Sequence, residues 1–414
     1  MQNARVEARG VGWQAYYGWV VVGVAALAMV GTLPGRTQGL GLITEPLLRD
    51  MAVDRVRFAE LNFVATLVGS LFCFGIGGLV DRVGSRLVLT SLSLALGAVV
   101  VAMSSVQSAA MLLLFVTLTR GLGQSALSVV SLAMPGKWFR RRLTWAMGVY
   151  ALVMSVGFML AFPAVGALVT SRGWRVAWTS IGVALIVVLA PVAWAFVRPD
   201  PGPNAELEVA VADPSGSESA DSTLGAALRS PAFWVFGVAS SLYGLAASGI
   251  GLFNESILAE RGFLPDVYYQ ALAVTAITGL AGNFIAGAWA DRGSLRRVLV
   301  AALLLLAGAL AALPHVSTPA HVMAQAVAMG LAGGFVMVVF FSFWGKAYGR
   351  THLGRIQGVA QALTVFASAT GPLLLARWVE ATGSYAGAFY ALAVTLVGLA
   401  CGALVVRVPA SAGG

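Results

Sequence analysis

Two ten-residue stretches, GLGLITEPLL at 39–48 and GIGLFNESIL at 249–258, carry the same residue type at five corresponding positions. Each matched pair is 210 positions apart: Gly39/Gly249, Gly41/Gly251, Leu42/Leu252, Glu45/Glu255 and Leu48/Leu258. The same offset recurs in four further regions, in the pairs Gly77/Gly287, Asp81/Asp291, Arg82/Arg292, Gly123/Gly333, Gly148/Gly358 and Gly173/Gly383. Agreement at one offset in five separate regions predicts that the chain is an internal duplication.

The composition places both copies in a membrane. Of the 414 residues, 59% are apolar and 10% are charged, and the mean hydropathy is +0.86. Soluble domains carry about 25% charged residues, so a soluble enzyme is excluded. A membrane-spanning helix needs about 20 apolar residues. Twelve stretches meet or approach that length: 17–43, 58–80, 87–106, 109–134, 143–170, 174–197, 231–258, 267–290, 297–313, 319–343, 355–379 and 384–406. The predicted fold is an all-α integral membrane protein with twelve transmembrane helices.

One polar segment divides these spans into six and six. Residues 198–230 are rich in Pro, Gly, Ser and acidic side chains, which cannot bury a core, so we interpret them as a linker. The predicted domains are two six-helix bundles, at 1–197 and 231–414. Basic residues are concentrated in the loops on the linker side, and by the positive-inside rule this predicts cytoplasmic termini and linker. The net charge of +9 is therefore explained by basic cytoplasmic loops of a protein in the plasma (inner) membrane, and no nucleic-acid partner is expected.

Several motifs allow a comparison with a known family. They are GGLVDRVGSR at 77–86, its weaker repeat GAWADRGSLRR at 287–297, RGLGQ at 120–124, and the loops KWFRRRLTWAMG at 137–148 and KAYGRTHLGRIQG at 346–358. On these residues the chain resembles the major facilitator superfamily over essentially its whole length. The opening YYGWVVVG at 16–23 is most similar to the oxalate/formate antiporter and monocarboxylate transporter branch.

The resemblance implies a gate on the cytoplasmic side. In the family, the first motif latches that side shut, and the residues that match it here are Gly77, Asp81, Arg82 and Arg86. Asp291 and Arg292 would form the partner latch, although one residue is missing between Arg292 and Gly293. Ordinary interfacial charge is the alternative explanation for all of them.

Two arginines lie within predicted spans, where a cation is costly and is expected to face a cavity or a partner. Arg120 lies near the middle of the fourth span, and Gln124 and Ser128 share its helical face. Arg36 follows Pro34 and Gly35 in the first span, and its repeat mate is Ala246. Because a guanidinium matches a carboxylate, both arginines are predicted substrate ligands. The alternatives are a structural cation paired with a carbonyl or carboxylate for Arg120, and snorkelling to the interface for Arg36.

The second half offers mostly neutral candidates. Tyr243, Asn283 and Gln361 could contact substrate or hold helices together. Glu255, beside Asn254, is the predicted proton-coupling group, because carboxyl groups removed from water protonate more easily. Its repeat mate Glu45 could equally be a helix-end contact.

The leading hypothesis is a secondary transporter, working by alternating access, that moves a small organic anion of the monocarboxylate type together with protons. In the branch that the chain resembles, many members carry a basic residue in the eighth span, and the oxalate exchangers carry a lysine in the middle of the eleventh. Here the eighth span has no basic residue and the eleventh has none near its middle, so the resemblance disfavours oxalate. A proton-driven exporter of drugs or metabolites is the alternative within transport, and a non-transporting membrane sensor is the alternative outside it. An enzyme, a cofactor and a metal site are not expected, and the family resemblance implies a monomer.

Overall fold

The computed structural model describes residues 2–73, 76–138, 143–198, 222–292, 294–348 and 353–408. Helices make up nearly all of this part of the chain, in two compact units. The first unit contains residues 1–46 and 68–213, and the second contains residues 47–67 and 214–414. Two of the three boundaries, 46/47 and 67/68, fall inside helices, and the third, 213/214, falls within the predicted linker. The predicted division into domains stays a prediction.

The first half of the chain is built from interrupted helices. They are α1 (Gln2–Gly31), α2 (Thr37–Gly41), α3 (Thr44–Met51), α4 (Arg55–Ser70), α5 (Ile76–Val83), α6 (Ser85–Met103), α7 (Ala109–Thr119), α8 (Ser128–Trp138), α9 (Leu143–Arg172), α10 (Trp174–Ala184) and α11 (Ala190–Phe196). Two π-helical segments join α7 to α8 and α10 to α11, at Arg120–Leu127 and Leu185–Leu189. Within the first unit, α1 packs on α8 and α9, and α6 packs on α10 and α11.

The second half has longer, continuous helices. After the short α12 (Leu224–Arg229) follow α13 (Pro231–Ala259), α14 (Pro265–Arg292), α15 (Leu295–Ala312), α16 (Pro319–Tyr348), α17 (Leu353–Thr382) and α18 (Ala386–Val405). The closest pairs are α14 with α16 and α13 with α17. Glycines permit this approach: a Cβ on Gly282 would lie 2.8 Å from the carbonyl oxygen of Leu331. Small residues at such crossings are typical of membrane helices.

Helix boundaries confirm the duplication. Helices α9 and α17 end at residues 172 and 382, which differ by 210 positions. Helices α7 and α16 begin at residues 109 and 319, again at the same offset.

The helices also support the membrane assignment. Eleven helical segments of the described residues are long and apolar enough to cross a membrane, and Tyr17–Gly31 is a shorter apolar one. Together they correspond to the twelve predicted spans. The predicted span at 17–43 contains a break, because α1 ends at Gly31 and the chain makes a 3₁₀ turn at Leu33–Gly35 before α2.

Candidate substrate and gating sites

The break after α1 positions the first predicted site. Pro34 lacks an amide hydrogen, and Arg36 adopts an extended conformation with φ −88° and ψ 152° between the turn and α2. Gly35 packs directly on the π-helix, because a Cβ there would lie 2.9 Å from the amide nitrogen of Gln124 and 3.1 Å from the Cα of Gly123. Only a glycine allows the two backbones to approach so closely.

Arg120 holds this break together. Its side chain is buried, at 2% exposure. Nη1 donates to the carbonyl oxygen of Gly35 at 3.1 Å, to Oγ1 of Thr37 at 2.9 Å and to Oε1 of Gln124 at 2.7 Å. A broken helix leaves carbonyl groups without partners, and in a membrane these groups must be satisfied within the protein. Arg120 thus pairs with a carbonyl. Its structural role and its substrate role both stay predictions.

Arg36 lies in a different environment. It is half-buried, and its Nε donates to Oγ1 of Thr32 at 2.6 Å. Its Nη2 lies 2.7 Å from Sδ of Met29 and 3.4 Å from Oγ of Ser128. Its Cζ is 5.3 Å from the ring centre of Phe158 on α9. All these partners are neutral. Among the described residues, none of them is a counter-ion for the positive charge of Arg36.

Some of these neighbours could be expected from the sequence and others could not. Thr32 precedes Arg36 by four residues, a spacing that places two side chains on one helical face. Ser128 shares a face with Arg120 and Gln124. Phe158 is more than a hundred residues away from Arg36, in another span. Gln124 remains exposed although it accepts from Arg120.

In the second unit, two predicted ligands meet the same turn of α16. The hydroxyl of Tyr243 on α13 packs against Gly333, and the backbone of Asn283 on α14 packs against Gly334. Both residues are half-buried, and Oδ1 of Asn283 is buried with no hydrogen-bond donor among the described residues. Gln361 on α17 is exposed. Their contact with a substrate stays a prediction.

The predicted proton-coupling residues lie near the end of α13. Asn254 and Glu255 are half-buried, and Glu255 is close enough to Tyr268 and Tyr269 on α14 to interact with them electrostatically. Its repeat mate Glu45 is 7% exposed and stands in the first turn of α3, where a helix dipole favours a negative charge. The two glutamates therefore share a repeat position but have different surroundings.

The predicted gate falls partly outside the described residues. The backbones of Gly77 and Asp81 belong to α5 and those of Asp291 and Arg292 to α14, but their side chains are among those not described. Arg82 is exposed. The gating role of these residues stays a prediction.

Arg86 has a clear contact within the first unit. Its Cζ lies 4.1 Å from the ring centre of Trp194 on α11. The repeat mate, Arg296, instead donates from Nη1 to the carbonyl oxygen of Leu404 at 3.3 Å and from Nη2 to that of Val406 at 2.7 Å. Arg86 thus contacts α11 and Arg296 contacts the end of α18, the last helix of the first and of the second half.

Metal chemistry has no visible basis in the residues that the structure describes, where no group of three or more His, Cys, Asp or Glu side chains could hold an ion. The two cysteines, Cys73 and Cys401, are exposed and not bonded to each other.

Comparison with known proteins identifies the family. The model of the Major Facilitator Superfamily matches residues 20–258 and again 236–413. No curated protein matches the chain. Among solved structures, a bacterial homologue of the human lysosomal transporter Spinster, in an inward-facing and occupied conformation, shares 15% identity with a TM-score of 0.67, over 92% of this chain and 94% of the other. The nucleoside transporter NupG shares 13% identity with a TM-score of 0.73, over 93% and 98%.

Identities this low show a common fold and leave the substrate open. The family match covers nearly the whole chain and agrees with the duplicated helices and their apolar surfaces. The chain therefore belongs to the major facilitator superfamily, and it is a multi-pass membrane transporter of small molecules that works by alternating access, not an enzyme.

Proposed function

We propose that this transporter moves a small organic monoanion of the monocarboxylate type together with protons. The observation that carries the proposal is the environment of Arg36: a half-buried guanidinium at a helix break, surrounded by neutral groups. An uncompensated cation at membrane depth is costly, and such groups usually mark a substrate or ion pathway. A carboxylate would supply the missing counter-charge.

Arg36 is a better ligand for that carboxylate than Arg120. One terminal nitrogen of Arg120 is already engaged by the Gly35 carbonyl and two side-chain oxygens. Arg36 has only weak partners for its terminal nitrogen, a thioether and a serine hydroxyl at 3.4 Å, which an incoming anion could replace. A guanidinium binds a carboxylate through two parallel hydrogen bonds, which favours a planar monoanion.

The other predicted substrate residues would contribute neutral hydrogen bonds. Gln124 is exposed beside Arg120, and Tyr243, Asn283 and Gln361 supply a phenol and two amides from the second half. Because the terminal nitrogen of Arg36 has only a thioether and a distant hydroxyl as partners while that of Arg120 is fully engaged, the site suits a single negative charge. This argument supports a monocarboxylate over a dianion such as oxalate.

Proton coupling is assigned to Glu255, with Asn254 beside it. Glu255 is half-buried near two phenols, and a carboxyl removed from water protonates more easily, whereas its repeat mate Glu45 is buried in the first turn of α3. We further propose that the protein is a monomer in the plasma (inner) membrane with both termini cytoplasmic, following its basic loops.

Uptake by proteoliposomes tests the anion site. Purified protein is reconstituted and tested against a panel of labelled monocarboxylates. Arg36→Gln should lower kcat/KM at least about tenfold, since hydrogen bonds to a charged group contribute about 1.5–3 kcal/mol each. Arg36→Lys should keep part of the activity, because it retains the charge and loses the planar fork. Arg49→Gln, which removes an exposed cation of α3, is the matched control.

The results separate the alternatives. Transport of a monocarboxylate that is indifferent to Arg36→Gln would overturn the anion site. Ligand-dependent stabilisation without flux would indicate a sensor, and extrusion of amphipathic cations driven by a proton gradient would indicate an exporter.

A pH gradient tests the coupling. With the wild type, an inward proton gradient should accelerate uptake and drive accumulation. Glu255→Gln should keep exchange of substrate across the membrane but abolish the response to the gradient, whereas Glu45→Gln should keep that response. An unaltered gradient response in Glu255→Gln would contradict the role of this residue.

A further inference from the structure

An ion pair joins α4 to α17 on the side of the membrane opposite the linker, here called the far side. A terminal nitrogen of Arg377, near the end of α17, contacts Oε1 of Glu60 in the second turn of α4. Each partner is also paired within its own helix: Arg377 Nη1 lies 3.1 Å from Oε2 of Glu380, and Arg57 Nη1 lies 3.4 Å from Oε2 of Glu60. Of these three pairs, only Glu60–Arg377 connects different helices.

An aromatic contact joins the same two helices one turn further along α4. Phe63, one turn after Glu60, meets Phe366 of α17 edge to face, with ring centres 6.1 Å apart and planes at 78°. The other end of α4 is fixed in the first unit, where Oγ of Ser125 donates to the carbonyl oxygen of Gly69 at 2.9 Å.

The Glu60–Arg377 ion pair can separate at low cost. The side chains of Arg377 and Glu60 are 55% and 33% exposed, so separating them returns both charges to water and leaves neither buried without a partner. Exposed ion pairs of this kind are weak and are screened by salt. Arg120 is the opposite case, since it is buried and its hydrogen bonds hold a backbone break permanently.

The contact is also specific to one helix pair. The repeat mates of Glu60 and Arg377 are Gln270 and Ala167, an amide and a methyl group, which cannot form an ion pair. The duplicated fold therefore does not require this pair, and its presence at one of two equivalent positions calls for a functional reason.

We propose that Glu60 and Arg377 form a far-side latch, which holds the outer part of α4 on α17 in one state of the transport cycle and separates in another. Phe63 and Phe366 pack beneath it and are released with it. The inference rests on alternating access, which the family shows, and is independent of the proposed monoanion.

A distance measurement tests the latch without a substrate. In the full-length protein with both native cysteines replaced by serine, spin labels are placed by Val64→Cys on α4 and Ala381→Cys on α17. Both positions are exposed and neither takes part in the ion pairs. Pulsed electron–electron resonance in nanodiscs should show a short-distance population for the docked helices and a longer one for the separated helices.

Charge changes should shift these populations in a defined order. Glu60→Gln and Arg377→Gln should raise the ratio of separated to docked protein by about two- to fivefold, the effect of losing an exposed ion pair. Glu60→Arg should raise it further through repulsion, and Glu60→Arg combined with Arg377→Glu should return it toward the wild-type ratio. Added salt should shift the wild type but not Glu60→Gln.

Two matched controls separate the latch from general helix stability. Glu380→Gln and Arg57→Gln each remove an ion pair within one helix, and both should leave the distances unchanged. Thermal unfolding of every variant should be close to that of the wild type, because all four side chains are partly exposed. Distances unaltered in both Glu60→Gln and Arg377→Gln, or a double reversal no closer to wild type than Glu60→Arg, would overturn the proposal.

Discussion

The two halves of the chain share their helix positions but differ in the continuity of their helices. Helices α13, α16 and α18 run without interruption. Their mates in the first half are interrupted by the 3₁₀ turn Leu33–Gly35 and by the π-helices Arg120–Leu127 and Leu185–Leu189. The interruptions are therefore not needed to build a six-helix bundle of this type.

These three interruptions lie around the two in-span arginines. Arg36 follows the first, and Arg120 begins the second. The third packs against the end of α1, where a Cβ on Gly31 would lie 2.8 Å from Cδ2 of Leu189. Irregular backbone within a membrane persists only when its polar groups find partners, and π-helical turns are frequent at functional sites. The comparison indicates that the first half has departed from regular helices in order to hold cations.

The largest expected effect comes from removing the cation that holds the break. Arg120→Gln should lower the free energy of unfolding by about 3–5 kcal/mol, because charged hydrogen bonds to Gly35 and Thr37 are lost and the Gly35 carbonyl is left unsatisfied. Thermal unfolding of the purified protein in detergent measures this, with Arg49→Gln as the exposed-cation control. Normal stability combined with lost transport would instead make Arg120 a substrate ligand.

The reverse experiment asks whether the second half can accept a cation. Ala246, the repeat mate of Arg36, is 2% exposed inside the continuous α13. Ala246→Arg should cost about 2.5–3.5 kcal/mol of insertion free energy, since no helix break or polar neighbour is provided there. Ala246→Leu is the size control. Expression of folded Ala246→Arg at the wild-type level and stability would refute the idea that the interruptions serve the cations.

The architecture was readable from the sequence, because the duplication leaves matched residues and matched lengths. Apolar length locates the spans, and the 210-residue offset locates the ends of α9 and α17 correctly. Pro34 and Gly35 indicated a break after α1, but the sequence did not predict that the break is a 3₁₀ turn followed by an extended Arg36. The π-helices were not predicted, since RGLGQSAL and LIVVL have no proline to mark them.

The site was readable only in part. A cation within a span is visible in any sequence, so Arg36 and Arg120 were found, but their partners decide their roles. Arg120 pairs with a carbonyl 85 residues away, and Arg377 pairs with Glu60 at a separation of 317. Pairs so far apart along the chain produce no periodic pattern in the sequence. The exposed latch residues Glu60 and Arg377 resemble ordinary charges at helix ends.

A smaller change tests the glycine at the break. Gly35→Ala should lower the free energy of unfolding by about 1–3 kcal/mol, because its methyl group would overlap the carbonyl of Thr119 and the backbone at Gln124. Gly308→Ala in α15 of the second half, where a Cβ would meet nothing within 4 Å, is the control and should not lower the free energy of unfolding. Thermal unfolding of both variants makes the comparison, and a neutral Gly35→Ala would mean that α1 can move away from the π-helix.

The smallest expected effect concerns the orientation of Arg36. Thr32→Val removes the hydroxyl that accepts from Nε at 2.6 Å and keeps the shape of the side chain. One hydrogen bond is worth about 1 kcal/mol, so KM for the monoanion should change by roughly fivefold while stability changes little. The repeat mate of Thr32 is Leu242, and Leu242→Val provides a control in which no guanidinium is affected. If Thr32 only stabilised α1, Thr32→Val would lower the unfolding temperature and leave KM unchanged, so measuring both quantities in the same preparation distinguishes a positioning role from a structural one.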